Sequence, residues 1–177
     1  MSQAEFNQCA KLMKDDEKVL ELRELYKKEL SEGKNPFETM MEMQNTLQER
    51  YSAQHGRVPS PREIKNKGEL ITFLLDQKMA IDDEFRELIE AVHGMSRPAS
   101  ERSAGWKKWK GKYDEIRAEG VDEGLSNDDI IERSMEMIDV MHFIINPLLA
   151  LGITAEDLFI FYMLKNKENF DRQDNNY

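Results

Sequence analysis

The stretch ERSMEMIDVMHFIINPLLALG, residues 132–152, decides the fold. On a helical wheel most of its circumference is apolar, which predicts a central helix that other helices cover on most sides. Four polar side chains interrupt this pattern every three or four residues, and they are Glu136, Asp139, His142 and Asn146. They share an arc of roughly 120°. A buried carboxylate without a partner is costly or becomes protonated, so the arc needs a cation, a basic side chain or a water-filled cleft.

A second acidic pair lies in AIDDEFRELIEAV, residues 80–92. Glu84 and Glu87 are spaced i, i+3 on the flank of an apolar stripe, whereas Glu90 lies opposite the stripe and is expected in solvent. The stripe consists of Ile81, Phe85, Leu88 and Val92. The nearby acids expected to be solvated or to cap helices are Asp82, Asp83 and Glu132.

Two helices that each carry such a pair can bring four carboxylates together when they face one another. Ligation by oxygen alone suits Mg²⁺, which also binds substrate phosphates. The alternative for the pair at Glu84 and Glu87 is surface decoration of a charged helix. The two pairs together nevertheless favour a metal site.

The composition indicates one all-α domain spanning residues 1–177. Charged residues make up 34% of the chain, hydrophobic residues 40%, and there are only 9 Gly and 5 Pro. Long stretches rich in Glu, Lys, Leu and Met favour helices. We expect a bundle of five to six helices with the active site between the central ones.

Capping residues and breaks place the helices along the chain. Expected helices span 4–31, 37–51, 69–93 and 108–119, followed by the one at 132–152 and a last one; residues 52–68 form the longest loop. Expected caps are Asn35 followed by Pro36, a capping box of Ser126 with Asp129, and Thr154 with Asp157.

The net charge of −10 argues against binding of long nucleic acids, which depends on neutralising phosphates. The single Cys9 excludes an internal disulfide and fits a reducing cytosol. The start, MSQAEFNQCAKLMKDDEK, lacks the apolar core of a signal peptide, and no apolar run is long enough for a membrane span. We therefore expect a cytoplasmic protein.

Basic residues concentrate in GWKKWKGKY, residues 105–113. One interpretation is a phosphate-binding segment, in which lysine acts as a flexible point charge. A second is that Trp106 and Trp109 plug the edge of the core while the lysines face water. A third is a platform for single-stranded nucleic acid, on which bases stack.

Polar residues at two further places suit a nucleotide. Lys165, Asn169 and Arg172 fall on one face of the last helix at i, i+4 and i+7, in line to bind a polyphosphate, although an isolated file of this kind is usually plain surface. Gln44 and Gln48 are spaced i, i+4 in MMEMQNTLQERY. An amide both donates and accepts and can read a base edge, and the alternative is a pair of surface glutamines.

These pieces resemble a known family. Four stretches are similar to the all-α dimeric dUTPase superfamily, which includes the MazG-like pyrophosphatases. In chain order they are DEFRELIEAV, WKKWK, ERSMEMIDVMHFIIN and YMLKNKENFDRQDNNY. The similarity is greatest to its T-even-type phage branch and extends to FNQCAKL, MMEMQNTLQ and ALGITAEDLFIFYMLKNKENFDRQ. It covers most of the chain and is weakest at 10–35 and 52–68.

The resemblance implies a role for each group of residues. The acids that hold two or more Mg²⁺ ions and position the attacking water fall on Glu84, Glu87, Glu136 and Asp139. Residues that close over the phosphates fall on Trp106, Lys107, Trp109, Lys110, Lys165, Asn166, Asn169, Arg172 and Gln173. The amide that faces the pyrimidine falls on Gln44, with Gln48 as a weaker candidate. His142 and Asn146, beside the acids, are expected to position the sugar or the ligands.

The resemblance also implies an activity: Mg²⁺-dependent hydrolysis of dCTP and dUTP, and of the diphosphates, to dCMP and dUMP. Such an enzyme clears dCTP from the pool for modified-cytosine phage DNA, acts as a homodimer and can associate with other phage nucleotide-synthesis enzymes. Alternatives are a pyrophosphatase of the same superfamily with dUTP-only or broader specificity, and a non-enzymatic helical binding protein. The chain departs from the family pattern at Asn176, where glycine is usual, and at Pro147, which removes a helix hydrogen bond beside Asn146.

Overall fold

The computed structural model describes residues 8–56 and 59–174, and within these ranges the chain forms helices and no strand. The helices are α1 (Gln8–Leu12), α2 (Asp16–Ser31), α3 (Pro36–His55), α4 (Lys67–Ala91), α5 (Ala99–Arg102), α6 (Tyr113–Ala118), α7 (Asn127–Ala150) and α8 (Ala155–Asp174). The described residues also form two 3-10 turns, Pro61–Glu63 and Ser103–Gly105. The predicted all-α class is confirmed: five helices are long, and three short ones join them.

Several predicted helix boundaries were wrong. The helix expected over 4–31 is interrupted, because the Asp15 side chain accepts a hydrogen bond from the backbone N–H of Lys18 (3.1 Å) and so starts α2 anew. Residues 4–7 lie outside the described ranges. The helix expected over 108–119 is confined to Tyr113–Ala118, and the 52–68 loop is shorter than expected because α3 continues to His55.

The predicted caps are confirmed. The Ser126 hydroxyl accepts from the N–H of Asp129 (3.1 Å), and the Asp129 carboxylate accepts from the N–H of Ser126 (3.0 Å). Thr154 and Asp157 form the same reciprocal pair at the start of α8. The Asn35 side chain accepts from the N–H of Phe37 (3.1 Å), with Pro36 in the first position of α3. Three of the long helices therefore begin where their capping residues predict.

The chain forms two compact units. The first contains the chain up to Leu25 and Leu75–Ile144, and the second contains Tyr26–Leu74 and the chain from Ile145 onward. Helices α2, α4 and α7 each contribute to both units. A single functional domain over residues 1–177 stays a prediction.

In the second unit α3 packs against α8 and against the turn Pro61–Glu63. Its apolar core consists of Met41, Ile145, Leu149 and Ala155, with Phe37 and Leu148 packed against it. A bidentate ion pair between Arg62 and Glu42 holds the turn to α3. Pro147 does not end α7, which continues to Ala150.

In the first unit α7 buries its polar side and exposes apolar residues. The buried residues on this part of α7 are Asp129, Glu132, Glu136 and Val140. The exposed ones include Met137, Ile138 and Ile144. Most other residues of α7 are buried or partly buried, so the helix is covered on most sides, as expected, and exposes one strip. Phe85 and Val92, from the predicted stripe of α4, are exposed as well.

Among the described residues no single helix is long and apolar enough to cross a membrane. Helices α7 and α8 taken together have the length and apolar composition of a membrane span, but the chain bends sharply between them.

Candidate active site

Three carboxylates converge between α4 and α7 in the first unit. One oxygen atom each from Glu84, Glu87 and Glu136 lies within 4.8 Å of the other two. The i, i+3 spacing places Glu84 and Glu87 on one face of α4, and Glu136 belongs to the buried stripe of α7.

Asp139 lies beside this cluster, one turn further along α7. It does not belong to the group of three oxygens, but its charge helps to raise the pKa of Glu84 and of Glu136. Burial raises the pKa of Asp139 itself, and the neighbouring His142 opposes that rise. The structure therefore brings Glu84, Glu87 and Glu136 together and places Asp139 and His142 at their edge.

Burial and mutual repulsion disfavour the charged forms of these acids. Only 8% of Glu136 is exposed, and burial, followed by the charges of Glu87, Asp139 and Glu84, raises its pKa to about 7. Burial is also the main cause that raises the pKa of Glu84 and of Glu87. In the absence of a bound cation, such a cluster is partially protonated.

The donor set fits a divalent cation. Among the described residues, none of the four acids takes part in an ion pair, and the nearby Arg86 pairs with Asp83 instead. Oxygen-only donors without a basic partner match the preference of Mg²⁺, and a bound cation would remove the repulsion between them.

Glu132, one turn before Glu136, has another role. It is almost fully buried, and its carboxylate accepts a hydrogen bond from the backbone N–H of Ala10 (2.8 Å) in the first turn of α1. Glu132 therefore caps a helix that is distant in sequence. Of the two expectations for this residue, capping is confirmed and exposure to solvent was wrong.

Helix α3 carries a buried polar face in the second unit. Its buried residues are Met41, Gln44, Asn45 and Gln48, so the interpretation of Gln44 and Gln48 as surface glutamines was wrong. The Gln44 Nε2 donates to Oδ1 of Asn146 (2.8 Å), which is fully buried. The structure thus joins two of the residues expected at the sugar and base.

The segment Gly105–Tyr113 belongs to the first unit and is largely exposed. Trp109 is 76% exposed, so the interpretation that it plugs the core edge was wrong. The Lys107 ammonium lies 4.4 Å from the centre of the Trp106 ring, a cation–π contact. Lys110 is partly exposed and continues the segment. The lysines are accessible to an anion.

The polar file on α8 is also exposed, in the second unit. Lys165 and Arg172 both pair with Glu168, which lies between them on the helix, and Asn169 is exposed beside them. An anion that binds here competes with Glu168 for both cations. Asn176, the departure from the family ending, lies outside the described residues.

Sequence reasoning missed Asn45 and its hydrogen-bond partner Glu49. Asn45 is buried, and its Nδ2 donates to Oε1 of Glu49 (2.7 Å). The available signal was spacing, because Met41, Gln44, Asn45 and Gln48 follow i, i+3, i+4 and i+7 on one helical face.

Comparison with known proteins gives two relatives that match over nearly their full length and one that matches over part of its length. The dCTP pyrophosphatase of Enterobacteria phage T4 is 40% identical over 174 residues, covering 98% of this chain and 99% of the relative. The dCTP pyrophosphatase of Enterobacteria phage LZ5 is 37% identical over 175 residues, with 98% and 99% covered. A T4 protein named DNA replication protein is 38% identical over 164 residues, covering 93% of this chain and 41% of the relative. No family model and no solved structure matches the chain.

Identity of this level over nearly the full length first defines the class: the chain is a hydrolase of nucleoside triphosphates. Within that class it belongs to the dCTP pyrophosphatase family of T4-type phages.

Proposed function

We propose that the chain hydrolyses dCTP and dUTP to dCMP and dUMP with Mg²⁺ held by Glu84, Glu87, Glu136 and Asp139. The observation that carries this proposal is the cluster of Glu84, Glu87 and Glu136, whose oxygens lie within 4.8 Å of one another without a basic partner among the described residues. The names of the T4 and LZ5 relatives support dCTP as the substrate. The activity on dUTP, and on dCDP and dUDP, extends the proposal beyond those names.

Mg²⁺, when bound, would neutralise the phosphate oxygens and lower the pKa of the attacking water. Glu84 or Glu87 then takes the proton from the attacking water. These two residues are proposed for this role because their carboxylates lie in the cluster with Glu136. Glu136 and Asp139 are proposed as the remaining ligands.

The basic residues are proposed to bind the phosphate chain. The residues proposed to offset its charge are Lys107, Lys110, Lys165, Asn169 and Arg172. All five side chains are at least partly exposed, as a residue that closes on a ligand must be. Gln44 and Gln48 are proposed to contact the pyrimidine, and His142 and Asn146 to position the sugar and neighbouring ligands.

We also propose a homodimer. Six consecutive apolar residues on α8, residues 159–164, are exposed, and α2 buries none of its residues in one chain. Contiguous exposed apolar surface of this kind is typical of interaction sites. A second copy would cover it, and sedimentation of the purified chain at micromolar concentration tests this.

In biological terms the activity would clear dCTP in the host cytoplasm from a pool destined for modified-cytosine phage DNA. Association with other nucleotide-synthesis enzymes would place the products near their consumers. Both remain part of the proposal.

A panel of all deoxynucleoside and ribonucleoside triphosphates, with product identification, tests the function. We expect pyrophosphate and the monophosphate from dCTP and dUTP, with at least tenfold lower kcat/KM for the purine nucleotides. Comparable rates on every nucleotide would instead indicate a broad house-cleaning enzyme, and activity on dUTP alone would remove dCTP from the proposal.

A further inference from the structure

The segment Gly105–Tyr113 contains two consecutive turns. The backbone N–H of Lys110 donates to the carbonyl of Lys107 (2.9 Å), and the N–H of Tyr113 donates to the carbonyl of Lys110 (3.1 Å). A turn of this kind brings its first and fourth Cα atoms within about 7 Å of each other. The backbones of Lys107 and Lys110 are therefore close together, at the two ends of one turn.

Arg117 on α6 contacts both ends of this segment. Its Nη1 donates to the carbonyl of Gly105 (3.3 Å), where the segment begins. Its guanidinium also lies 5.3 Å from the centre of the Tyr113 ring, where the segment ends, within the range of a cation–π contact. One side chain therefore connects the two ends of the loop that carries Lys107 and Lys110.

Close packing fixes the start of the segment against the end of α4. Gly105 is buried, and a Cβ atom added to it would lie 1.9 Å from Nε2 of His93, two residues beyond α4. Helix α4 also carries Glu84 and Glu87, and all the residues in this arrangement belong to the first unit. Gly105 is thus positioned between Arg117 and the helix that provides two of the candidate metal ligands.

The surroundings of Arg117 suggest a structural use of its guanidinium. Among the described residues Arg117 forms no ion pair, because the nearby Glu119 pairs with Arg97 through two hydrogen bonds (2.9 and 2.7 Å). Arg117 is also exposed, so its replacement leaves no cavity in the core. Its contacts in the structure are those that connect Gly105 to Tyr113.

We propose that Arg117 is a positioning residue, which holds the ends of the segment Gly105–Tyr113 together so that Lys107 and Lys110 are arranged to bind the phosphate chain. This inference rests on the proposed function of the two lysines. Without Arg117 the segment has more conformations, and ordering them when the nucleotide binds costs affinity. The carboxylates on α4 and α7 stay in place, so the loss should appear in KM rather than in kcat.

The first test measures KM and kcat for dCTP with Mg²⁺ in Arg117→Met, which keeps a long side chain but lacks the donor and the charge. We expect KM to rise about fivefold and kcat to stay within about twofold of the unmodified enzyme. Lys14→Met is the matched control, because Lys14 is another exposed cation of the first unit and connects α1 to α7 through its ion pair with Asp128 (2.6 Å). Its KM should not change.

A double-mutant cycle separates positioning from direct contact with the nucleotide. The variant Lys107→Met, Lys110→Met should itself raise KM, and adding Arg117→Met should raise KM no further, because Arg117 acts through the two lysines. A further rise of about fivefold in the triple variant would mean that Arg117 binds the nucleotide directly, and would overturn the inference. An unchanged KM in Arg117→Met alone would overturn it as well.

Tryptophan fluorescence reports on the segment without nucleotide, because both tryptophans of the chain, Trp106 and Trp109, lie in it. We expect altered emission in Arg117→Met and unchanged emission in Lys14→Met. Unchanged emission in Arg117→Met would show that Arg117 does not hold the segment, and would overturn the inference while leaving the proposed function intact. An unmodified enzyme that does not hydrolyse dCTP, or an unchanged KM in the lysine double variant, would instead overturn the proposed function and this inference with it.

Discussion

A carboxylate oxygen of Glu136 on α7 lies within 4.8 Å of a carboxylate oxygen of Glu87 on α4. Glu136 is almost fully buried, and the charge of Glu87 is the first neighbouring charge that raises its pKa, after burial itself. A fold that holds two acids this close, without a basic residue between them among the described residues, is less stable for it. Such an arrangement is expected where function requires the acids to meet.

Removing the Glu136 charge should stabilise the cation-free protein. The pKa of Glu136 is about 7 in the folded protein and near its ordinary value of 4.5 in the unfolded chain. The unfolded chain therefore loses this proton at lower pH, and the stability of the folded protein falls as pH rises from about 4.5 through 7. In EDTA we expect Glu136→Gln to raise the melting temperature by about 3 °C at pH 8.

The same pair of proteins provides the control for this prediction. At pH 4.5 both the glutamate and the glutamine are uncharged in the folded protein, so their melting temperatures should nearly coincide. A variant that is less stable than the unmodified protein at pH 8 in EDTA would show that Glu136 contributes a favourable structural contact instead.

Glu84→Gln and Glu87→Gln should each reduce kcat for dCTP hydrolysis by at least a hundredfold, because each loses a proposed metal ligand or base. Asp82→Asn lies on the same helix, where the exposed Asp82 pairs with Lys78, and is the matched control. We expect its activity to stay within about threefold of the unmodified enzyme. Equal losses in all three variants would point to a general electrostatic effect rather than to ligation.

Asp129 should make the first unit sensitive to acid. Burial alone would raise the pKa of this carboxyl group, but hydrogen bonds from Ser126, Met95 and Ser96 outweigh burial and lower it. Its stabilising contribution is therefore complete above the unfolded pKa and is lost as pH falls through the lower folded pKa. Asp129→Ala should cost about 2 kcal/mol in urea unfolding at pH 7, and less at pH 3. An equal loss at both pH values would contradict the role of its charge.

Gly105→Ala should disturb the start of the segment Gly105–Tyr113. A Cβ atom at Gly105 would lie 1.9 Å from Nε2 of His93, and the Gly105 carbonyl accepts from Arg117 (3.3 Å). Since the His93 ring must move, we expect a lower melting temperature and a KM for dCTP raised several-fold. The double variant Gly105→Ala, His93→Ala gives the ring's space to the new methyl group and should recover part of both losses. Gly111→Ala, where the structure leaves open space, is the control.

The sequence predicts much of this molecule because several signals are local. A capping residue forms its hydrogen bonds within three or four positions, so Asn35, Ser126 and Thr154 mark the starts of α3, α7 and α8. The i, i+3 acid pairs depend only on helix geometry, which is why Glu84 and Glu87 were found on one face.

Other features depend on contacts distant in sequence and could not be predicted from spacing. Glu132 reads as one more acid on α7, yet it caps α1 through Ala10, 122 residues earlier in the chain. The apolar residues Met137 and Ile138 suggested burial, but the structure exposes them, because the side of α7 buried in the first unit is the acidic one. Asn45 shares the regular spacing of Met41, Gln44 and Gln48, but whether that face of α3 is buried depends on contacts with the rest of the second unit.

The measurement that tests the central claim most directly is pyrophosphate release from dCTP as a function of Mg²⁺ concentration, in the unmodified enzyme and in the double variant Glu136→Gln, Asp139→Asn. Circular dichroism of both proteins serves as the control for folding. The account predicts saturable Mg²⁺-dependent release in the unmodified enzyme and at least a hundredfold lower release in the variant at every Mg²⁺ concentration. Full activity in the double variant, or equal activity of the unmodified enzyme in EDTA, would contradict the assignment of these carboxylates as the metal site.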